Sequence, residues 1–177
     1  SQSLSLRAST NGTYYKAFSF SFTEPWLGGR KPTNFSFSVY HTSQNGGVDY
    51  FYQTGDKYFK VTGASVGIGT RLKWPDDYFS IYNEISYQNY NLKDWTGYFL
   101  ISNGQSNNLS YKISITRNST DQVIYPRTGS NLSLSLQITP PYSLFNGKNY
   151  SALSGSEKYK WIEYHKWTGR IQWYVPL

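Results

Sequence analysis

Apolar and polar residues alternate one by one over short segments of this 177-residue chain. The clearest case is SNLSLSLQITPP, from Ser130 to Pro141, in which leucine or isoleucine occupies every second position of the LSLSLQI core. Successive side chains of a β-strand point to opposite faces. The segment therefore predicts a strand with one apolar face and one face of Ser, Gln and Thr.

The same alternation recurs in TYYKAFSFSF and NFSFSVYHTS, where phenylalanine takes the apolar positions, and in KYFKVTGASVGIGTRLKW. Turn-forming groups such as EPWLGGRKP, WPDDY and PRTGS separate these segments, and an apolar period of 3.6 residues over ten residues is lacking. We predict an all-β fold, an antiparallel meander of about eight strands, with one strand covering KYKWIEYHKW from Lys158 to Trp167. The residues assigned to the apolar faces are Phe18, Phe20, Phe22, Phe35, Phe37, Leu132, Leu134, Leu136 and Ile138.

Two architectures accept this pattern: a soluble sandwich with its apolar faces packed together, and a transmembrane β-barrel with its apolar faces toward lipid. Charged residues make up only 15% of the chain, whereas about 25–35% is usual for a soluble surface. The alternating polar positions are mostly small and uncharged, which favours a barrel lumen. Eight strands are enough to close a small barrel, and the chain is equally compatible with part of a larger one.

Aromatic residues account for 19% of the chain, and several fall at the predicted strand ends, as in the interfacial girdles of membrane barrels. These candidates are Tyr14, Tyr15, Trp26, Trp74, Tyr78, Trp95, Trp167 and Trp173. The alternative is a soluble β-sandwich that binds carbohydrate through exposed Trp and Tyr.

Composition narrows the remaining function classes. The chain has no cysteine, so it has neither disulfides nor a cysteine-ligated metal. Its formal charge of +7 comes from scattered Lys and Arg, and attraction to an anionic membrane surface explains this charge as well as nucleic-acid binding does. We expect no nucleic-acid partner. The ten carboxylates and two histidines form no known catalytic motif. We expect no enzymatic activity, no catalytic residues, no metal and no cofactor.

Two stretches, FTEPWLGGRKPTNFSFSVYHT (22–42) and RNSTDQVIYPRTGSNLSLSLQIT (117–139), carry a family resemblance. They resemble the barrel of the outer-membrane protein assembly factor family BamA, in a Bacteroidetes-like form. The positions that match its turn motifs are Pro25, Trp26, Gly28, Gly29, Asp121, Tyr125, Pro126, Thr128 and Gly129. Their residue types fit turns on physical grounds as well, because Pro126 fixes φ, Gly129 allows a positive φ, and Asp121 and Thr128 can cap backbone donors.

The resemblance implies that residues 1–177 are a partial outer-membrane barrel domain, roughly strands two to nine of sixteen. The periplasmic POTRA domains and the C-terminal strands of the family would be absent. It also implies a bacterial outer-membrane location and a non-enzymatic role in inserting other barrels, by offering strand edges and distorting the bilayer. The implied partners are outer-membrane lipid, client outer-membrane proteins, assembly lipoproteins and, through open strand edges, a second copy of the chain.

Overall fold

The computed structural model describes residues 2–29, 33–46, 57–95 and 101–175. Eight strands dominate these ranges, joined by a short 3₁₀ turn at Leu27–Gly29 and two single-turn helices, α1 (Tyr142–Phe145) and α2 (Gly155–Lys158). The strands are β1 (Ser3–Asn11), β2 (Tyr15–Glu24), β3 (Thr33–Asn45), β4 (Tyr58–Arg71), β5 (Phe79–Lys93), β6 (Gly104–Asn118), β7 (Gly129–Ile138) and β8 (His165–Tyr174).

All eight strands form one antiparallel sheet in the order of the sequence, from β1 to β8. This confirms the predicted all-β meander. Within the described ranges β1 pairs only with β2, and β8 pairs only with β7. No second sheet is present in these ranges to cover either face, so the sandwich alternative is wrong.

The strand register gives the sheet two faces of opposite character. Directly paired residues in antiparallel strands share a face, so a row of paired positions can be followed across the sheet. One row on the apolar face is Leu4, Phe22, Phe37, Val66, Ile85, Tyr111 and Ile138. One row on the polar face is Ser5, Ser21, Ser38, Ser65, Ser86 and Ser110.

The distribution of buried residues is the reverse of that in a water-soluble protein, since apolar side chains are exposed and small polar ones are buried. Ile85 on the apolar face is 57% exposed, whereas Ser110 on the polar face is 2% exposed and is the largest fully buried side chain described. Buried polar groups are stable only when they are hydrogen-bonded, and Ser110 bonds to Ser86 at 2.8 Å and accepts a hydrogen bond from Gln137 at 2.9 Å. The polar face is therefore the packed side of the sheet.

The strand predicted from Lys158 to Trp167 is wrong over its first part, because β8 begins only at His165. β7 ends at Ile138 opposite Tyr111, so β6 extends beyond its neighbour. Beside this extension of β6, where β7 has ended, Trp161 forms a parallel bridge with Asn107. The Asn107 N–H donates to the Lys160 carbonyl at 2.7 Å. Residues 139–164, named here the β7–β8 segment, thus fold back on the end of β6. Among the described helices, none is long and apolar enough to cross a lipid bilayer.

Candidate membrane-facing surface and strand edges

The apolar face forms a surface that runs across all eight strands. The nine residues assigned to it from the sequence lie together on this face, since each pairs with a neighbour of the same set or with another apolar-face residue. Leu134, for example, is 46% exposed and lies opposite Ile115 on β6. Such a face is unfavourable in water, because burying apolar area contributes about 25 cal/mol per Å². It suits contact with acyl chains.

The aromatic residues at the strand ends divide between the two faces. Two of them, Trp167 and Trp173, lie on the apolar face of β8. Three more are exposed in turns at one end of the sheet: Trp26, Trp74 and Tyr78. Tyr14 is exposed in the β1–β2 turn at the other end. Two candidates are wrong as girdle residues. Tyr15 shares the polar face with Ala17 and Ser19, and the Trp95 ring lies 5.9 Å from that of Phe59, a polar-face residue.

The polar face is cross-linked by side chains that pass over glycines of β4. Gln88 on β5 donates to the Tyr40 hydroxyl on β3 at 2.7 Å, and Gly63 lies between them in the register. A Cβ at Gly63 would overlap the Tyr40 ring. In the same way the hydroxyls of Ser36 and Tyr82, 2.9 Å apart, meet over Gly67. Sequence reasoning missed these pairs, because only the strand register shows which tyrosine covers which glycine.

The first of the two turns that match the family motifs, between β2 and β3, is compact. Pro25 and Trp26 follow β2, and the Trp26 N–H donates to the Glu24 carboxylate at 3.2 Å. The Gly29 N–H donates to the Trp26 carbonyl at 3.0 Å, while Gly28 and Gly29 both have positive φ. Only glycine adopts two such conformations in succession without a steric cost.

The second family turn is held by Asp121, as its residue type suggests. One carboxylate oxygen accepts the N–H groups of Arg127 at 3.0 Å and Thr128 at 3.2 Å. The hydrogen bond from Thr128, together with others from neighbouring backbone N–H groups, lowers the pKa of the Asp121 carboxyl. Thr128 contributes its backbone, and Gly129 has φ +104°. Tyr125, which precedes Pro126, also has a positive φ of 55°, a conformation that its residue type does not predict.

The same end of the sheet is joined across strands by Arg117. Its Nε donates to Asp76 in the β4–β5 turn at 2.9 Å, and its Nη1 donates to the hydroxyls of Ser119 and Ser130 at 3.1 Å. This ion pair fixes the β4–β5 turn beside the β6–β7 turn. Within the part of the chain that the structure describes, no group of three His, Asp or Glu could hold a metal ion.

The two outer strands present backbone groups on one side that the described sheet leaves unpaired. Every residue of β1 is exposed, as are nearly all residues of β8. An unpaired edge is a template for another strand. In hydrocarbon such an edge is unfavourable, because each backbone N–H or C=O without a partner costs several kcal/mol.

An antiparallel meander with an exposed apolar face and a buried polar face is the construction of a transmembrane β-barrel wall. The Omp85 superfamily domain matches the chain over residues 1–177, and the chain belongs to the Omp85 superfamily. No curated protein matches it.

Among solved structures, BamA from Haemophilus ducreyi lacking POTRA domains 1–3 has a similar fold, with a TM-score of 0.56 and 19% sequence identity. The match covers 79% of this chain and 28% of that one, so this chain spans less than a third of that protein. The similarity concerns the fold of the barrel wall.

Proposed function

We propose that this chain forms part of the wall of a bacterial outer-membrane barrel that inserts other β-barrel proteins into that membrane. The observation that carries the proposal is the reversed burial of an Omp85 sheet, apolar side outward and hydroxyl side packed. The likeness to BamA supports the same class of activity. The protein would be of the Bacteroidetes-like form, with residues 1–177 as the N-terminal half of the barrel.

The mechanism requires no chemical step. An incoming client strand would hydrogen-bond to an exposed strand edge, as in β-augmentation, and would be released once its own sheet closes. The apolar face would meanwhile contact outer-membrane lipid and disturb its packing beside the edge. Assembly lipoproteins would act on the full-length protein, and without a client the same edges would pair two copies of the chain.

The absence of cysteine makes the edge step directly testable. Ser5 and Ser65 belong to the same row of the polar face, but Ser5 is on the outer strand β1 and Ser65 on the inner strand β4. Single Ser5→Cys and Ser65→Cys variants would be reconstituted in lipid vesicles and mixed with a urea-unfolded barrel client that carries one cysteine. Disulfide cross-links and the heat-modifiable folded fraction of the client would be measured by gel electrophoresis.

We expect faster client folding with protein-containing vesicles than with empty ones, and client cross-links to the Ser5→Cys variant but not to the Ser65→Cys variant. Covalent dimers of the Ser5→Cys variant in the absence of client would indicate edge pairing between two copies. Equal client folding rates in empty and loaded vesicles would refute insertion by this part of the barrel on its own. Cross-links from position 65 as strong as those from position 5 would refute the edge mechanism alone.

A further inference from the structure

The β7–β8 segment and the end of the sheet line a half-open cavity of about 590 Å³. Its lining includes Tyr90 and Leu92 of β5, Ile101, and Trp161 and Ile162 of the segment. Leu92 is 3% exposed, so this end of the otherwise polar face is lined by apolar groups. The volume lies in the usual range of ligand sites, which are mostly apolar with a few polar groups.

A second cleft of about 340 Å³ adjoins this cavity and is cationic. Lys148, Lys158 and Lys160 line it, against the single carboxylate of Glu157. The nearby Glu163 carboxylate is already occupied, because it accepts hydrogen bonds from the backbone and the hydroxyl of Ser143. Lysine ammonium groups are point charges suited to phosphate.

Two aromatic residues, Tyr142 and Trp161, form part of the wall of the cationic cleft. The Tyr142 ring packs on Trp161 with centroids 4.8 Å apart. Its buried hydroxyl has no hydrogen-bond partner among the described residues. This aromatic pair lies beside the lysines that line the same cleft.

The two sites are adjacent, since Tyr150, Lys158 and Trp161 line both of them. A cationic cleft beside a largely apolar pocket matches a molecule with an anionic head and a hydrocarbon tail. We propose that the β7–β8 segment binds an anionic phospholipid, with the phosphate head at Lys148, Lys158 and Lys160 and an acyl chain between Leu92, Ile101 and Ile162. This site does not depend on the proposed insertion role.

Short-chain lipids that dissolve singly can test the site on the folded protein in a non-ionic detergent. Dihexanoyl phosphatidic acid, dihexanoyl phosphatidylcholine and glycerol 3-phosphate would be titrated separately, with bound mass read by native mass spectrometry. The cleft variant is Lys148→Gln/Lys158→Gln/Lys160→Gln. Its matched control is Lys60→Gln/Lys93→Gln/Lys166→Gln, which removes the same charge from exposed positions at the same end of the sheet.

We expect phosphatidic acid to bind about tenfold more tightly than either of the other two ligands, and the cleft variant to lose about tenfold in affinity. The control variant should bind as the unmodified protein does. Equal binding of phosphatidylcholine would show a non-specific apolar site, and equal binding of glycerol 3-phosphate would show a phosphate site without a lipid tail. Either result, or an equal loss in both lysine variants, would overturn the proposal. Lys158→Gln alone, at a position shared by both cavities, provides the test if the triple variant does not fold.

Discussion

At the scale of single residues, the polar face depends on glycines that make room for tyrosines. A Cβ at Gly67 would overlap the Tyr82 hydroxyl and lie 2.8 Å from the Ser36 hydroxyl, whereas a Cβ at Gly169 on β8 would have no heavy atom within 4 Å. Both glycines are in strands, so their intrinsic strand propensities are equal. A comparison of the same substitution at the two glycines therefore separates the effect of side-chain packing from that of strand propensity.

We therefore expect Gly67→Ala to lower the free energy of unfolding by about 1–3 kcal/mol through overpacking. Gly169→Ala should be neutral or stabilising by up to about 1 kcal/mol, because glycine is a poor strand former. Urea titrations of both variants in detergent micelles, followed by circular dichroism, would measure the difference. Equal stability of the two variants would show that Tyr82 moves aside at no cost.

The hydrogen bonds to Asp121 predict a pH dependence of the β6–β7 turn. Because the pKa of this carboxyl is lower in the folded protein than its ordinary value of 3.8, its contribution to stability is present above that value. The contribution is lost as the pH falls through the lowered pKa.

Asp121→Asn should remove this part of the acid sensitivity, since the amide does not titrate. The urea concentration at the midpoint of unfolding would be measured from about pH 2 to about pH 6, the range in which carboxylates protonate. Asp77→Asn, in the β4–β5 turn, makes the same charge change and serves as the control. If the unmodified protein and Asp121→Asn lose stability in parallel, the turn is not held by the ionised carboxylate.

At the scale of strands, alternation was sufficient to predict which residues share a face, as β7 illustrates. Leu134 and Ser135 are sequence neighbours that the sheet places on opposite sides. The pattern failed for Lys158–Tyr164, where Tyr159 and Trp161 alternate with two lysines as in a strand. Whether those residues form a strand depends on β6 being longer than β7, which is a property of the register and cannot be deduced from the segment itself.

Charge placed on the two sides of β7 should have unequal effects. Leu134→Lys should destabilise the protein in phosphatidylcholine vesicles by about 2–4 kcal/mol, the cost of a lysine facing lipid near the bilayer centre. Ser135→Lys, facing the polar side, should cost clearly less. Urea-dependent folding into vesicles would give both values, and a Leu134→Lys variant as stable as the unmodified protein would show that this face does not contact acyl chains.

At the scale of the whole molecule, patterning predicted the antiparallel meander, and composition favoured a barrel wall over a sandwich without deciding between them. They could not predict the open order of the sheet or the fold of the β7–β8 segment, because both are set by contacts between residues far apart in the chain. Thr139 illustrates this, since its backbone N–H donates to the Tyr164 carbonyl 25 residues later, at 3.0 Å. The girdle prediction failed at Tyr15 because it used strand-end position alone, although the alternation of TYYKAFSFSF already places Tyr15 on the face opposite Phe18. It failed at Trp95 because this residue lies beyond the end of β5, where its contact with Phe59 sets its side.

Tryptophan fluorescence can show which side of the intact protein faces lipid. A variant that retains only Trp167, on the apolar face of β8, should be quenched strongly in vesicles of brominated phosphatidylcholine. A variant with Trp167→Phe and Thr168→Trp, which moves the single tryptophan one residue to the polar face, should be quenched little. Similar quenching at both positions would mean that lipid reaches both sides of the sheet.

The row of six serines has a consequence for how the strands find their alignment. Serine recurs at every second position in parts of β1, β2, β3 and β7, so sliding one strand by two residues would again place a hydroxyl beside a hydroxyl. Such a face discriminates poorly between pairings. The tyrosines do discriminate, because the same slide would move Tyr40 from Gly63 onto Val61 or Ser65, where a side chain already fills the space. The spacing of the β4 glycines therefore disfavours a two-residue slide of β3, which the serines alone would tolerate.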